Sequence, residues 1–148
     1  MDKPLTIWYC DVCGKPINDV NEVLLIWKSD KNMNDYDFKF VHKTTNERRG
    51  CDMESYPSSM HLSKFLGLDG MAYLMSFLSH GNAIRKNGNR IKNLDEFIDV
   101  IRRIQTPYYE EARRYFHTEK TQRLIEGCNE YYPYTQNILK KIIEINTK

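Results

Sequence analysis

Residues 8–17 read Trp8-Tyr9-Cys10-Asp11-Val12-Cys13-Gly14-Lys15-Pro16-Ile17, and the reading of the N-terminal half turns on them. The β-branched and aromatic run Leu5 to Tyr9 predicts a short strand that enters a tight Cys-x-x-Cys turn. Such a turn brings two sulfurs to one side of the backbone. Gly14, just after it, can take the positive φ that lets amides face a sulfur. In a reducing compartment, thiols at this spacing point to a metal rather than a disulfide. Tetrahedral zinc then needs two more donors.

The donors downstream are His42, Cys51 and His61. Two further strands are predicted at 22–28 and 36–43, joined by the polar stretch Ser29 to Asp35. In the second of these, Tyr36, Phe38, Phe40 and His42 alternate with Asp37, Lys39, Val41 and Lys43. The period of two places His42 on the aromatic face. Residues 44–57 read as loop, so His42 and Cys51 bracket a segment able to fold back on the first turn. The expected ligand set is Cys10, Cys13, His42 and Cys51, spaced C-x2-C-x28-H-x8-C, around one structural Zn2+. His61, expected in the first turn of a helix, is the reserve ligand. The competing reading makes Cys10 and Cys13 buried thiols. It must then explain how sixty residues interrupted by polar loops hold together without a staple.

A redox role for the pair is disfavoured, because Gly14-Lys15-Pro16 does not open the helix that follows a thioredoxin-like motif. A His-Asn-His nuclease arrangement is disfavoured too, since Asn46 lies too close to His42 and Asp52 stands where an asparagine is needed. Cys128 stands alone and is expected to be a small buried side chain.

Beyond residue 57 the periodicity becomes helical. Ser58 or Ser59 is expected to cap a short helix ending at Gly67, and Asp69 the next, with Met71, Leu74, Met75 and Leu78 as its apolar stripe. After a loop at 82–92, Asn93 and Glu96 form a capping-box pattern ahead of Leu94, Phe97, Ile98, Ile101 and Ile104. Thr106-Pro107 restarts a helix expected to run to about Glu126, ended by Gly127, and a last helix is expected from Pro133. The expected architecture is α+β: a small β zinc-knuckle module over 1–57, then a bundle of about five helices over 58–148, packed as one unit.

The chain has 148 residues, 41% hydrophobic and 28% charged, which fits an ordinary folded chain and excludes collagen-like or disordered classes. No apolar run approaches the roughly 18–20 residues of a membrane span. The first residues lack the basic start and apolar core of a secretion signal, so a cytoplasmic location is expected. A formal net charge of +2 does not select a polyanionic partner. Cations nevertheless gather locally. Arg85, Lys86, Arg90 and Lys92 lie in a glycine- and asparagine-containing loop free of acids, and Arg102-Arg103 could extend that patch into a nucleic-acid surface. Glu110 and Glu111 are expected to neutralise part of the neighbouring pair Arg113-Arg114. Tyrosines at 108, 109, 115, 131, 132 and 134 suit a protein interface instead.

Residues 8–17 resemble the opening knuckle of LIM-like and zinc-ribbon modules of treble-clef type. With Ser58 to Met71, the chain also resembles small zinc-binding accessory proteins of bacterial phages and mobile elements. The resemblance implies zinc but no activity, and the chain lacks the second close ligand pair of the LIM pattern. The leading functional expectation is a zinc-stabilised nucleic-acid-binding or transcription-regulatory protein that is not an enzyme. The rival is a protein–protein adaptor or inhibitor, and a zinc hydrolase or nuclease ranks third.

Overall fold

The computed structural model describes residues 3–84 and 88–148. Its centre is an antiparallel hairpin of β3 (Val23–Ser29) and β4 (Asn34–His42). A preceding ribbon pairs β1 (Trp8–Tyr9) with β2 (Pro16–Ile17), shorter than predicted because Leu5 takes a positive φ. Two short strands complete the main sheet: β5 (Ser58–His61) runs antiparallel along β3, and β6 (Arg90–Ile91) parallel along β4. The order is β5-β3-β4-β6. Helices α1 (Ser63–Leu66), α2 (Gly70–Leu78), α3 (Leu94–Gln105), α4 (Tyr109–Arg113), α5 (Glu119–Ile125) and α6 (Gln136–Thr147) make the class α+β, with six helices and two sheets among the described residues.

Several elements depart from sequence expectation. Ser58–His61 is strand rather than helix, because β3 carries fully buried Leu25 and Ile26 and its second edge needs backbone partners. Helix α1 therefore begins only at Ser63. The helix expected over 107–126 is two helices: the Thr118 side chain accepts the Thr121 amide and starts α5 afresh. Along α2, Leu74 is buried, whereas Met71, Met75 and Leu78 face outward. Asn93 caps α3 as expected, but the Glu96 carboxylate accepts the Phe38 amide at 3.1 Å instead of closing the box.

The alternation expected in β4 is broken by a bulge. Register runs Ile26 with Lys39 but Lys28 with Tyr36, and Asp37 sits in the extra position at φ 57°. Phe40 and His42 share the helix-covered face with Val23 and Leu25. Beyond the bulge the sense inverts: Tyr36 joins Lys28 on the opposite face, and Asp35 joins Ser29 on the helix-covered one. Over the opposite face lies the 44–57 segment, whose Tyr56 hydroxyl donates to Asp37 while its ring lies beneath the Lys28 and Lys39 amines.

One core joins the sheet to α1, α2 and α3, from Trp8 to Ile104, with Phe38, Phe77 and Phe97 in mutual edge or tilted contact. The change of periodicity near 57–60 lies inside this core. Tyr109, Ala112, Ile138, Leu139 and Ile142 form a second cluster among α4 to α6.

Candidate metal centre

The turn after β1 is shaped by its own backbone. Gly14 donates to the Cys10 carbonyl at 2.9 Å with φ +76°, and Cys10 donates to the Lys15 carbonyl at 3.0 Å. The Cys13 amide points at the Cys10 sulfur at 3.5 Å. At the end of β4, His42 places Nδ1 3.4 Å from the Cys13 sulfur and 3.8 Å from that of Cys51. Ligand atoms of Cys10, Cys13, His42 and Cys51 all lie within 4.8 Å of one another. Tetrahedral sites with metal–sulfur bonds of about 2.3 Å and metal–nitrogen bonds of about 2.0–2.1 Å have edges of roughly 3.6–3.8 Å. The cluster is therefore compatible with a structural metal site.

Outer contacts orient the donors. His42 Nε2 lies 3.3 Å from the Pro16 carbonyl, an acceptor that holds the proton on Nε2 and turns the Nδ1 lone pair into the cluster. Cys51 is delivered by a tight return, in which its amide donates to the His42 carbonyl at 2.8 Å. That return needs a glycine beside it: a Cβ on Gly50 would lie 2.3 Å from the same carbonyl. Thr44 ties the loop, accepting the Gly50 amide and donating to Asp52.

Burial pushes the Cys10 thiol up, but the amides of Cys13 and Val12 and contact with His42 outweigh it and bring the pKa to about 6. Cys51 goes the other way, to about 11, through burial and the neighbouring sulfurs of Cys10 and Cys13. Sulfurs this close resist ionising together unless a cation sits among them, which is the condition a thiolate metal site meets.

His61 is not among the converging donors. It pairs with Leu24 on β5, whereas His42 pairs with Val23, so the two histidines project from opposite faces of the sheet.

The cations fare differently from expectation. Arg103 is 2% exposed and belongs to the core, not to a phosphate-binding surface. Its Nε and Nη2 hold both oxygens of buried Glu110 at 2.7 and 2.8 Å, and Nη1 holds Asp11 at 2.7 Å. Glu110 therefore serves Arg103 and accepts the Tyr9 amide, while Arg113 pairs with Asp99 at 2.7 Å. Arg102 lies over the Tyr134 ring. Arg90 is exposed on β6, and Lys92 pairs with Asp30 at 3.5 Å. Arg85 and Lys86 lie outside the described residues.

Asp11 and Glu110 were not identifiable as functional from sequence. Both brace the Cys-x-x-Cys turn, Asp11 through Arg103 at a separation of 92 residues and Glu110 through the Tyr9 amide at 101, separations that no local pattern reports. Compared with known proteins, the chain matches no family model, no curated protein and no solved structure.

Proposed function

We propose that Cys10, Cys13, His42 and Cys51 hold one structural Zn2+, that the turn they close is a zinc knuckle, and that the chain acts as a non-catalytic adaptor or inhibitor of a protein partner. Three thiolates and an imidazole suit zinc, and four protein donors leave no open position for water, which argues against a hydrolase or nuclease. In this reading the metal braces the scaffold, and partner binding takes place elsewhere on it.

The observation that carries the protein-binding reading is the outer face of α1 and α2. Leu68 is fully exposed, and Met71, Met75 and Leu78, at 48, 58 and 43% exposure, follow one another on one side of α2. Clustered exposed apolar side chains mark interaction surfaces, and unbranched methionines adapt to a partner's shape. Of the C-terminal tyrosines, Tyr109 is buried and Tyr134 packs against that second core, whereas Tyr131 and Tyr132 are exposed.

A photo-crosslinking residue at position 75, in cells expressing the protein, should yield a discrete protein adduct that a Met71→Glu change removes. A crosslinker at exposed Glu126 should yield none. Equal labelling at both positions would count against the reading.

A second reading, nucleic-acid binding in a regulatory role, keeps Arg90, Lys92 and Arg102. It is supported by Arg114, whose guanidinium stacks 3.8 Å from the Tyr9 ring centroid beside the knuckle. Stacked arginine and aromatic surfaces suit bases. Binding to single- or double-stranded oligonucleotides that weakens steeply with salt would favour it, and no binding at low salt would eliminate it.

A further inference from the structure

The geometry points to a binding pocket for a small organic cation between the sheet and α2, with Asp35 as its anionic anchor. A cavity of about 280 Å³ opens there, lined by Trp27, Asp35, Met60, Tyr73, Phe77 and Asn89. It lies well away from the Cys/His cluster and rests on none of the metal or partner assignments above.

Asp35 is 5% exposed, an unusual position for a carboxylate. Its described donors are neutral: the Ser29 hydroxyl at 2.5 Å and the Asn89 amide at 2.8 Å, both on Oδ1. Among the described residues no salt bridge reaches it. Lys92, the next residue along from its β6 neighbour, is committed to Asp30 and to the Tyr36 ring. Buried charges in proteins are ordinarily matched by an opposite charge. Asp35 therefore faces a cavity that His80 also lines, with no salt bridge to it among the described residues.

The bulge at Asp37 is what aims it there. Without the extra residue, Asp35 would share the face of Lys39 and Val41; with it, Asp35 lies beneath α2 beside Trp27. Trp27, Phe77 and Tyr73 supply aromatic walls, with Trp27 and Phe77 edge to face at 5.2 Å, and Ser58, Ser76 and His80 complete the lining. Aromatic rings beside a carboxylate are the chemistry that receives an alkylammonium or guanidinium group, through ring quadrupole and ion pairing together. The volume falls just below the roughly 300–1,000 Å³ of ordinary ligand pockets, so it suits a cationic head rather than a nucleotide. That head is either a free amine or the side chain of a lysine or arginine carried by another chain.

The test is an NMR titration of the protein as purified with n-butylammonium chloride, read at the two tryptophan indole N–H signals and assigned with Trp27→Phe. The Trp27 signal should move saturably. The Trp8 signal should not, because that indole is buried and donates to the Arg103 carbonyl. Neutral 1-butanol should bind at least about tenfold more weakly. Asp35→Asn, which keeps the size of the side chain, should remove the preference for the cation. Ser76→Phe, at an exposed position on the cavity rim, should block binding while leaving Asp35 and the sheet intact. A lysine-containing peptide amide binding ten times more tightly than butylammonium would assign the cation to another chain, and equal or weaker binding would assign it to a free amine. No saturable Trp27 shift, or equal shifts with 1-butanol, would overturn the proposal. So would unchanged binding in both folded variants.

Discussion

Arg103 and Asp11 form a 2.7 Å ion pair that joins the third turn of α3 to the residue immediately after Cys10. The same guanidinium is clasped by Glu110 and covers the Phe40 ring at 4.3 Å, while Asp11 accepts the Phe40 amide at 2.7 Å. The turn that carries two of the four candidate ligands is thus fastened to β4, α3 and α4 by one buried side chain. Burial opposes the arginine's charge, but Glu110 and Asp11 outweigh it and raise its pKa further.

Replacing Arg103 with methionine should cost about 3–5 kcal/mol, since it strands the Glu110 carboxylate in the core. Urea unfolding measures this. Adding Glu110→Leu to that variant should recover part of the loss, and a double variant that loses the full sum would show that the two residues do not act as a pair.

Purified protein is expected to contain one equivalent of zinc, lost on chelation or in Cys51→Ser. The thermal midpoint should then fall by roughly 10 °C or more, given apparent zinc-binding energies of about 10–16 kcal/mol in small modules. Metal analysis with calorimetry tests both points. An apoprotein as stable as the holoprotein would falsify the structural role.

Gly50→Ala should weaken the metal site without touching a ligand. The added Cβ would lie within 2.4 Å of three backbone atoms in residues 42–44, so the return that delivers Cys51 must shift. A destabilisation of about 1–3 kcal/mol is expected, with lower zinc affinity in a chromophoric chelator competition. Unchanged affinity would show that Cys51 is placed by other contacts.

Asp99 gives the fold a defined acid sensitivity. Burial would raise its carboxyl pKa, but Arg113 and the Tyr109 hydroxyl at 2.5 Å outweigh it and hold the pKa below the usual range. A depressed folded pKa favours the folded state above the unfolded value of about 3.9, and that contribution disappears as pH falls through the lower folded value. Urea midpoints between pH 6 and pH 2 should therefore fall less steeply in Asp99→Asn. Identical slopes would remove Asp99 from the account.

Local chemistry carried a good part of this structure. Gly14 takes its positive φ, the 23–29 and 34–42 strands lie within two residues of expectation, and Asn93 caps α3. Patterns in neighbouring residues report φ/ψ preference and burial within one element, which is why these features could be read. The candidate donors Cys10, Cys13, His42 and Cys51, with His61 in reserve, were also readable, because only a few residue types have suitable lone pairs and their spacing allows a fold-back.

Other features depended on partners distant in sequence. Ser58–His61 has a plausible helix start and becomes strand only because β3 has an edge to fill. Asp37 looks like one more member of a regular alternation, yet as a bulge it moves Tyr36 off the core face and Asp35 onto it. Arg103 looks like a surface cation until Asp11 and Glu110 surround it. The sequence by itself determined the mixed helical and strand character, the polar hairpin loop and the identity of the candidate donors, since each follows from local conformational preference or side-chain chemistry. Only the tertiary structure decided which face each strand residue takes, which histidine meets the cysteines and which arginine is buried, because register and burial depend on partners up to a hundred residues away.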